Sequence, residues 1–360
     1  MGGQIVISVD AMGGDLGPAA VLDGMAKSAA KNPELRFLLH GPEAELTPLL
    51  RRRTALRAIT EVRDASRVIS MDQKPSQVIR QARGSSMANA LDAVAAGTAD
   101  VAVSCGNTGV LMALATLRLK RAAGIDRPAI AVLWPSLNPA GYNIVLDVGA
   151  SVKADGDSLV QFAIMGAEYA RLALSQPKPR VGLLNVGTET HKGSPELQAA
   201  HDELSQLSGS ARSGLAYVGF VEGSDITGDK VDVIVTDGFT GNIALKTAEG
   251  TASLVGRFLS DAFRATPLSR IAALFAYSSL RRLHKRIDPR RVNGGVFLGL
   301  NGAVVKSHGS ADATGVSAAL KLAFRMGQER FAEKLATRVA SGRAEGEDTR
   351  EVASGARREA

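Results

Sequence analysis

The sequence predicts an α/β protein with a doubly wound, mostly parallel sheet and helices on both faces. Two observations support this fold class. Apolar, β-branched runs alternate with longer Ala/Leu-rich stretches from the start of the chain to about residue 265, which is the pattern of repeated strand–helix units. Runs such as VAVS (101–104) and VIVT (233–236) have no polar face, as expected of strands that helices cover on both sides.

Each predicted element follows from its local pattern. Strands are predicted where short apolar runs end in glycine or small polar residues, at 4–9, 35–39, 57–62, 100–104, 129–134, 143–147, 180–185, 215–220 and 231–236. Helices are predicted where apolar residues recur every three or four positions, at 18–31, 43–52, 76–83, 86–97, 108–122, 155–174, 195–208 and 241–264. Ligands of such sheets collect outside the carboxyl ends of the strands.

The composition favours a protein of a reducing compartment with an anionic partner. The formal charge of +7 suits phosphate, an acidic carrier protein, a lipid surface or nucleic acid, although a solvated surface with surplus arginine explains it equally well. Only one Trp and four Tyr are present, so no basic stripe interleaved with aromatics supports nucleic-acid binding. The single cysteine, Cys105, excludes an internal disulfide and a cysteine-based zinc site.

Other sequence features argue against cofactors and membrane spans. The five histidines are scattered, and neither GxGxxG nor GxxxxGK[ST] occurs, so no metal, NAD or ATP site is predicted. The first residues, MGGQIVISVD, begin a strand rather than a signal peptide, and no apolar run reaches the length of a membrane span. We therefore expect a cytoplasmic protein that at most contacts a membrane surface.

The chain is predicted to form one catalytic domain over 1–339, followed by a polar, disordered tail over 340–360. Within the domain, the segment 265–291 departs from the strand–helix pattern because Pro267 ends one helix and starts another. Its apolar positions are Leu268, Ile271, Leu274, Phe275 and Leu280, and its basic patch is Arg281, Arg282, Lys285, Arg286, Arg290 and Arg291. This amphipathic segment is interpreted as a dimer seam, a carrier-docking helix or a membrane-surface helix. The alternative is a core helix with a solvated basic end.

Five glycine-containing turns directly follow apolar strand-like runs. They are VISVDAMGGDLGP (6–18), VAVSCGNTG (101–109), GLLNVGTETHKG (182–193), VIVTDGFTGN (233–242) and GAVVKSHGS (302–310). Glycine lets a backbone turn tightly and approach a ligand closely. A helix that begins after such a turn directs N–H groups and a positive dipole end toward it. If these turns converge on one crevice, they form an anion site.

The candidate site residues come mostly from these turns. Candidates for holding the anion or its reaction partner are Gly13, Gly14, Ser86, Gly106, Asn107, Thr108, Gly109, Asp237, Thr240 and Lys306. Candidates for catalysis are Lys192, Asn242 and His308, because a lysine suits a phosphate or a developing oxyanion and a histidine transfers protons.

Each candidate also has a structural interpretation. Helix caps explain Asn107 and Asp237, and a surface ion pair with Glu189 explains Lys192. Asp10 and Asp15 are more often loop-fixing acceptors than metal ligands. A free cysteine such as Cys105 is usually a small buried apolar residue rather than a nucleophile.

The combination of motifs is more specific than any one of them. The strings VDAMGGDLGP, SSM, SCGNTG, DVGAS, NVGTETHKG, VTDGFTGNIALKTAEG and KSHGSAD occur in this order across roughly residues 6–312. Together they resemble the phosphate acyltransferases of bacterial phospholipid synthesis, the PlsX family, over nearly the whole chain except the tail. Two positions depart from the family pattern. Ser151 stands where the family usually has Asn, and Thr190 and His191 precede Lys192 where it often has acidic and basic residues.

The resemblance implies transfer of a long-chain acyl group from acyl carrier protein to inorganic phosphate, giving acyl phosphate. It also implies a homodimer loosely associated with the inner face of the cell membrane, where a membrane acyltransferase accepts the product. The implied fold is related to phosphotransacetylases and isocitrate dehydrogenases. Two alternatives stay open: a decarboxylating dehydrogenase on a similar fold, and a non-enzymatic regulator that binds anions or lipids.

Overall fold

The computed structural model describes residues 3–208, 214–287 and 294–339, with side chains described for all but 284–287. Eleven strands form one sheet: β1 (Ile5–Asp10), β2 (Leu35–Gly41), β3 (Thr60–Asp64), β4 (Val101–Ser104), β5 (Ala129–Pro135), β6 (Tyr142–Leu146), β7 (Arg180–Leu184), β8 (Ala216–Val221), β9 (Val233–Val235), β10 (Gly295–Leu298) and β11 (Ala303–Lys306). Their order across the sheet is β3-β2-β1-β4-β11-β10-β5-β6-β9-β7-β8.

Eleven helices are bounded within the described residues. They are α1 (Gly17–Ala29), α2 (Glu43–Arg51), α3 (Thr54–Arg57), α4 (Pro75–Val78), α5 (Ser86–Ala95), α6 (Thr108–Leu119), α7 (Gly156–Leu174), α8 (Pro195–Ser208), α9 (Gly238–Arg264), α10 (Pro267–Ile287) and α11 (Ala313–Gln328). Side-chain caps begin several of them; for example, the Asp155 carboxylate accepts from the Ser158 N–H at the start of α7 (2.9 Å).

Helices cover both faces of the sheet, as the apolar strands predict. On one face α1, α7, α8 and α11 pack on the strands through residues such as Leu22, Phe162 and Leu320. On the other face α5, α6 and α9 pack through residues such as Met87 and Leu111. The doubly wound, mostly parallel α/β prediction is therefore confirmed, since most neighbouring strands pair in parallel.

The two halves of the sheet run in opposite directions, which the prediction did not include. β5 and β6 pair antiparallel, and β10 pairs antiparallel with both β5 and β11. Consequently β1, β4 and β11 end at one edge of the sheet, whereas β6, β7 and β9 end at the other. The five glycine turns therefore do not share one edge. A cleft over the central strands β5 and β10 brings several of them together instead.

Some predicted elements differ from the structure. The helix predicted over 76–83 is the single turn α4, which ends at Val78. The helix predicted over 241–264 begins earlier, at Gly238, because Asp237 caps it. β10 and α11 were not predicted, and β11 was anticipated only as the strand-like run within GAVVKSHGS (302–310). The predicted tail 340–360 lies outside the described residues, as do 288–291 of the basic segment.

The last turns of α9 and all of α10 form a helical pair with little burial. No residue of α9 beyond Gly241 is buried, and α10 has no buried residue among its described side chains. Exposed apolar side chains on this pair include Phe258, Leu268, Ile271, Leu274 and Phe275, the last being 87% exposed. None of the helices in the described part of the chain combines the length and apolar character needed to cross a bilayer.

Candidate active site

A cleft of about 480 Å³ lies over the centre of the sheet, between α6 and α9. Its floor is apolar and comes from β5, with Ile130 and Val132, and from the start of β10 at Gly295. One wall consists of Thr108, Gly109, Lys306, Ser307 and His308. The opposite wall consists of Val148, Gly149, Ser151, Val152, Gly238, Phe239, Asn242, Leu245, Lys246 and Glu249.

Three glycine turns meet behind the first wall because β1, β4 and β11 are neighbours in the sheet. The Asp15 N–H donates to the carbonyl of Gly309 (2.8 Å), and the Ser307 N–H donates to the carbonyl of Ser104 (2.9 Å). A Cβ on Gly13 would lie 2.5 Å from the Gly106 nitrogen. Glycine is required there because the two turns pack backbone against backbone.

The buried Asp10 carboxylate fixes these turns from below. It accepts from the Ser104 hydroxyl (2.7 Å) and the Met12 N–H (3.2 Å), and Ser86 also hydrogen-bonds to it. Burial nevertheless raises the pKa of Asp10 above its ordinary value. These bonds agree with the interpretation of Asp10 as a loop-fixing acceptor. Across the described ranges, no group of three or more His, Cys, Asp or Glu residues is placed to hold a metal ion.

The N-terminus of α6 opens into the cleft through Thr108 and Gly109. Asn107 caps this helix because its side-chain oxygen accepts from the Val110 N–H (3.0 Å). The amide nitrogen of Asn107 donates to the carbonyl of Met71 (2.7 Å). Asn107 thus organises the helix start, while the residues that follow it supply the positive end of the helix dipole to the cleft.

Lys306 brings a buried cation to the same wall. Its side chain is largely buried, and Nζ donates to the carbonyls of Cys105 (3.3 Å) and Ser307. Burial lowers the pKa of Lys306 to about 8, because the charged form loses hydration. A bound anion would restore part of that lost stabilisation, so this ammonium is suited to a phosphate oxygen.

His308 belongs to a hydrogen-bonded cluster with two residues of α9 across the cleft. Its Nε2 lies 3.2 Å from Oε1 of Glu249, and Oε2 of Glu249 accepts from Nζ of Lys246 (2.8 Å). Burial raises the pKa of Glu249, but the hydrogen bonds and charges of His308 and Lys246 outweigh it and lower this pKa to about 2. Glu249 is therefore ionised at neutral pH.

The opposite wall is built around the Asp147 carboxylate, which accepts from four backbone N–H groups, among them those of Ile130 (2.9 Å) and Ser151 (2.7 Å). The Ser151 hydroxyl donates to Asp147 (2.8 Å) and accepts from the Gly238 N–H (3.3 Å). Ser151, one of the departures from the family motif, thus ties the loop after β6 to the start of α9. Asn242 lies one turn farther along α9, beside Gly149.

A second cavity, here called the outer cavity, lies on the other side of the first turns of α9. It has about 490 Å³ and is lined mainly by apolar residues such as Leu184, Ile226 and Ala244. Tight packing separates it from the cleft, because a Cβ on Gly238 or Gly241 would lie 2.2 Å or 2.0 Å from a backbone oxygen of the loop after β6.

All the predicted site residues except Lys192 fall into three places. Thr108, Gly109, Asn242, Lys306 and His308 line the cleft. Behind its first wall lie Gly13, Gly14, Ser86, Gly106 and Asn107. Asp237 and Thr240 line the outer cavity, where the Asp237 carboxylate caps α9 by accepting from the Thr240 N–H (2.9 Å).

Lys192 lines neither cavity. Its Nζ lies 2.8 Å from the Glu189 carboxylate, and both side chains are more than 40% exposed. Sequence reasoning missed Lys246 and Glu249, which stand inside a predicted helix where an i,i+3 pair is usually solvated. It also missed the cleft floor, because strand residues with apolar side chains are predicted as core.

Cys105 is buried beneath the first wall. Burial raises the pKa of its thiol, and the hydrogen bond with Ser307 lowers it only in part. A thiol that stays protonated is a poor nucleophile. The geometry therefore favours the apolar interpretation of Cys105 over an acyl-enzyme role.

Comparisons with known proteins agree with the fold and with the motifs. Two solved structures share the fold over 91% of this chain and 94% of their own: EutD phosphotransacetylase from Staphylococcus aureus (TM-score 0.58, 16% identity) and a phosphotransacetylase from Streptococcus pyogenes (TM-score 0.61, 17% identity). The predicted relation to the phosphotransacetylase fold is confirmed. A family model described as "Fatty acid synthesis protein" matches residues 5–334.

Curated relatives match over nearly their whole length. The phosphate acyltransferase of Roseobacter denitrificans is 63% identical over 337 residues, which are 94% of this chain and 94% of that protein. The phosphate acyltransferase of Ruegeria sp. (strain TM1040) is 62% identical over 338 residues, 94% of this chain and 90% of that protein. The predicted family and enzyme class are thus confirmed, and the chain belongs to the phosphate acyltransferase family.

Proposed function

We propose that this chain transfers a long-chain acyl group from acyl carrier protein to inorganic phosphate in the central cleft. One observation carries the assignment to this site. The cleft combines a helix N-terminus, the buried Lys306 ammonium and His308 with an apolar floor formed by Ile130 and Val132. An oxyanion and an acyl chain can therefore be held side by side.

Phosphate occupies the first wall in this proposal. The backbone of Thr108 and Gly109 at the start of α6 and the Lys306 ammonium are the groups that favour a dianion there. Because Asp10 and Asn107 hold the supporting turns through their own hydrogen bonds, these donors are positioned before phosphate arrives.

The acyl thioester lies over the floor, with its carbonyl toward the first wall. A phosphate oxygen attacks that carbonyl directly, so the enzyme needs no covalent intermediate. The developing oxyanion is stabilised by cations and amides that line the cleft, for which Lys306, Lys246 and Asn242 are the candidates. The thioester C–S bond then breaks and the carrier leaves as a thiol.

The α9–α10 pair is proposed to contact the acidic carrier and the membrane. The exposed apolar positions Leu268, Ile271 and Phe275 suit the interfacial region of a bilayer, and Arg281 and Arg282 are exposed beside them. Lys285 and Arg286 of the predicted basic patch lie outside the described side chains. This arrangement supports a cytoplasmic enzyme that associates peripherally with the membrane and passes acyl phosphate to a membrane acyltransferase.

A homodimer is proposed on the same pair of helices. The groove between α9 and α10 is lined by Leu259, Phe263 and Leu283, which are apolar, and a second copy would cover such side chains. Arg281→Glu with Arg282→Glu tests the basic part of this surface. We expect weaker binding of acyl carrier protein and of anionic vesicles, with a smaller salt dependence. Unchanged binding of both would leave the helical pair a plain structural element.

The activity itself is tested by incubating the full chain with palmitoyl-carrier protein and phosphate. We expect thiol release that depends on phosphate, together with a product that hydroxylamine traps as a hydroxamate. Thiol release that is equal without phosphate would contradict the proposal. Reduction of a nicotinamide with a hydroxy acid would favour the dehydrogenase alternative, and lipid binding without thioester cleavage would favour the non-enzymatic one.

A further inference from the structure

One charged residue of α9, Glu249, reaches across the cleft to His308, and a second, Lys246, pairs with Glu249. Oε1 of Glu249 lies 3.2 Å from Nε2 of His308, and Nζ of Lys246 lies 2.8 Å from Oε2 of the same carboxylate. All three side chains line the cleft. His308 comes from the turn after β11 and Glu249 from the fourth turn of α9, so the contact joins the two walls.

We propose that Glu249 is a positioning residue, which holds the His308 imidazole so that it carries a proton from the attacking phosphate to the leaving sulfur. This inference rests on the proposed function, since it needs both phosphate and a thioester in the cleft.

The reaction requires such a proton transfer. Hydrogen phosphate dianion and an acyl thioester give an acyl phosphate dianion and a thiol. A C–O bond forms, the C–S bond breaks, and the electron pair of that bond stays on sulfur. The phosphate proton ends on the same sulfur, so atoms and charges balance without another reactant. A histidine that lines the same cleft can accept and return this proton.

Geometry assigns the two ring nitrogens different roles. Nε2 of His308 donates to the Glu249 carboxylate, and in this scheme Nδ1 exchanges the proton. When the ring takes up the proton it becomes a cation, which the nearby carboxylate stabilises. The side chain of Glu249 is only 26% exposed, so solvent screens this stabilisation less than at the surface.

The neighbouring charges keep Glu249 ionised for this role. Lys246 neutralises its second oxygen from α9, and Lys306 enters the cleft from the end of β11. Asp15 lies nearby on the turn after β1, where its carboxylate oxygen is 3.0 Å from the position of a Cβ on Gly309. A proton on Glu249 would occupy one of its two oxygens and remove the contact made by that oxygen.

Thioesters with different leaving groups test the proposal. The rate of thiol release at saturating phosphate is measured for wild type, Glu249→Gln and His308→Asn, using N-acetylcysteamine and thiophenol esters of the same fatty acid. The thiophenolate leaves without a proton, whereas the alkyl thiolate benefits from one. We expect each variant to lose about 10²-fold in kcat with the alkyl ester and less than about fivefold with the aryl ester.

A double variant separates positioning from independent effects. If Glu249 acts through His308, adding Glu249→Gln to His308→Asn causes little further loss with the alkyl ester. Additive losses would overturn the inference. Equal losses with both esters, or no loss with the alkyl ester, would overturn it as well.

A matched control removes a carboxylate from an ion pair outside the cleft. Glu333 pairs with Arg330 at 2.9 Å, and both are exposed, so Glu333→Gln is expected to leave both rates unchanged. Thermal unfolding of each variant shows that it is folded. If wild type itself releases no thiol in phosphate, the proposed function fails; if wild type is active and the variants do not discriminate the esters, only this inference fails.

Discussion

The cleft and the outer cavity differ in charge rather than in size. Both flank the first turns of α9, and their volumes are about 480 and 490 Å³. The cleft is lined by Lys246, Lys306, His308 and Glu249. The charged residues that line the outer cavity are Glu196 and Asp237, both acidic. A phosphate dianion is therefore favoured in the cleft and opposed in the outer cavity.

This difference arises from the order of strands. Lys306 ends β11 and His308 follows it, and β11 inserts between β4 and the antiparallel β10. The insertion places them beside the start of α6, on the edge where the glycine turns of β1 and β4 also lie. The outer cavity belongs to the reversed half of the sheet, whose turns contribute caps and apolar side chains.

The largest expected effect compares a lysine that lines the cleft with an exposed lysine outside both cavities. Lys306→Met is expected to lower kcat/KM by about 10²–10³-fold, because it removes a desolvated cation from the anion site. Lys192→Ala is expected to change the rate less than about threefold, since its exposed pair with Glu189 lies outside the cleft. Phosphate-dependent thiol release measures both. A large loss in Lys192→Ala with a normal Lys306→Met would contradict the assignment of the phosphate to the cleft.

A smaller effect is expected from filling each cavity. Val132→Phe adds volume to the cleft floor. We expect the rate with palmitoyl carrier protein to fall about tenfold relative to the rate with a short-chain donor, because the larger side chain occupies the apolar space that a long acyl chain needs. Ala244→Leu fills the outer cavity instead and serves as the control. If Ala244→Leu, and not Val132→Phe, changed the ratio of the rates with the palmitoyl and short-chain donors, the acyl chain would be placed in the outer cavity.

The pH dependence of kcat/KM should report the protonation of Lys306 in the cleft. The pKa of Lys306 is lowered to about 8 by burial, so the cation is lost as the pH rises through about 8. We expect kcat/KM to fall severalfold on that side of neutrality. The Lys306→Arg variant keeps its charge over this pH range. If the variant is active, its kcat/KM should therefore not fall above about pH 8. A wild-type profile that stays flat to pH 9 would contradict the role of Lys306.

The contribution of Lys306 to the free energy of unfolding should rise with pH, whereas kcat/KM falls. Between about pH 8 and the ordinary lysine value of 10.5, the unfolded chain binds a proton that the folded chain lacks at Lys306. The free energy of unfolding contributed by this group therefore rises with pH through that window. Lys306→Met is accordingly expected to melt at a higher temperature than wild type at pH 7, which calorimetry measures. A lower melting temperature would show that the ammonium stabilises the fold.

The smallest effect is expected at Cys105. Its thiol is buried and burial raises its pKa, so the direct-attack mechanism does not use it. Cys105→Ala should keep its rate within about twofold of wild type, since it removes only a small side chain. Complete loss of thiol release in a folded variant would restore the acyl-cysteine mechanism.

Much of the parallel framework could be predicted from sequence, because β1, β4 and β9 are continuous apolar runs that end in glycine turns. The reversal between β5 and β6 carried a signal that was not used. Only 136–141 separates them, which is too short for a parallel crossover and suits an antiparallel pair. β10 was missed because it is only four residues long, and β11 was recognised only as the strand-like run before the KSHG turn.

The site could be predicted only where local chemistry marks it. Thr108, Lys306 and His308 follow strands, so their turns identify them. Glu249 has no such signal, because its role depends on where α9 passes β11 and helix periodicity does not contain that information. Asp237 shows the converse, since its position after β9 suggests a ligand contact while the structure uses it as a cap.

The central claim is that the cleft, rather than the outer cavity, binds the phosphate. A crystal structure of the full chain with inorganic phosphate tests it most directly. The account predicts an anion within hydrogen-bonding distance of Lys306 Nζ and of the backbone at Thr108 and Gly109. An anion held in the outer cavity or beside Lys192, with the cleft unoccupied, would contradict it.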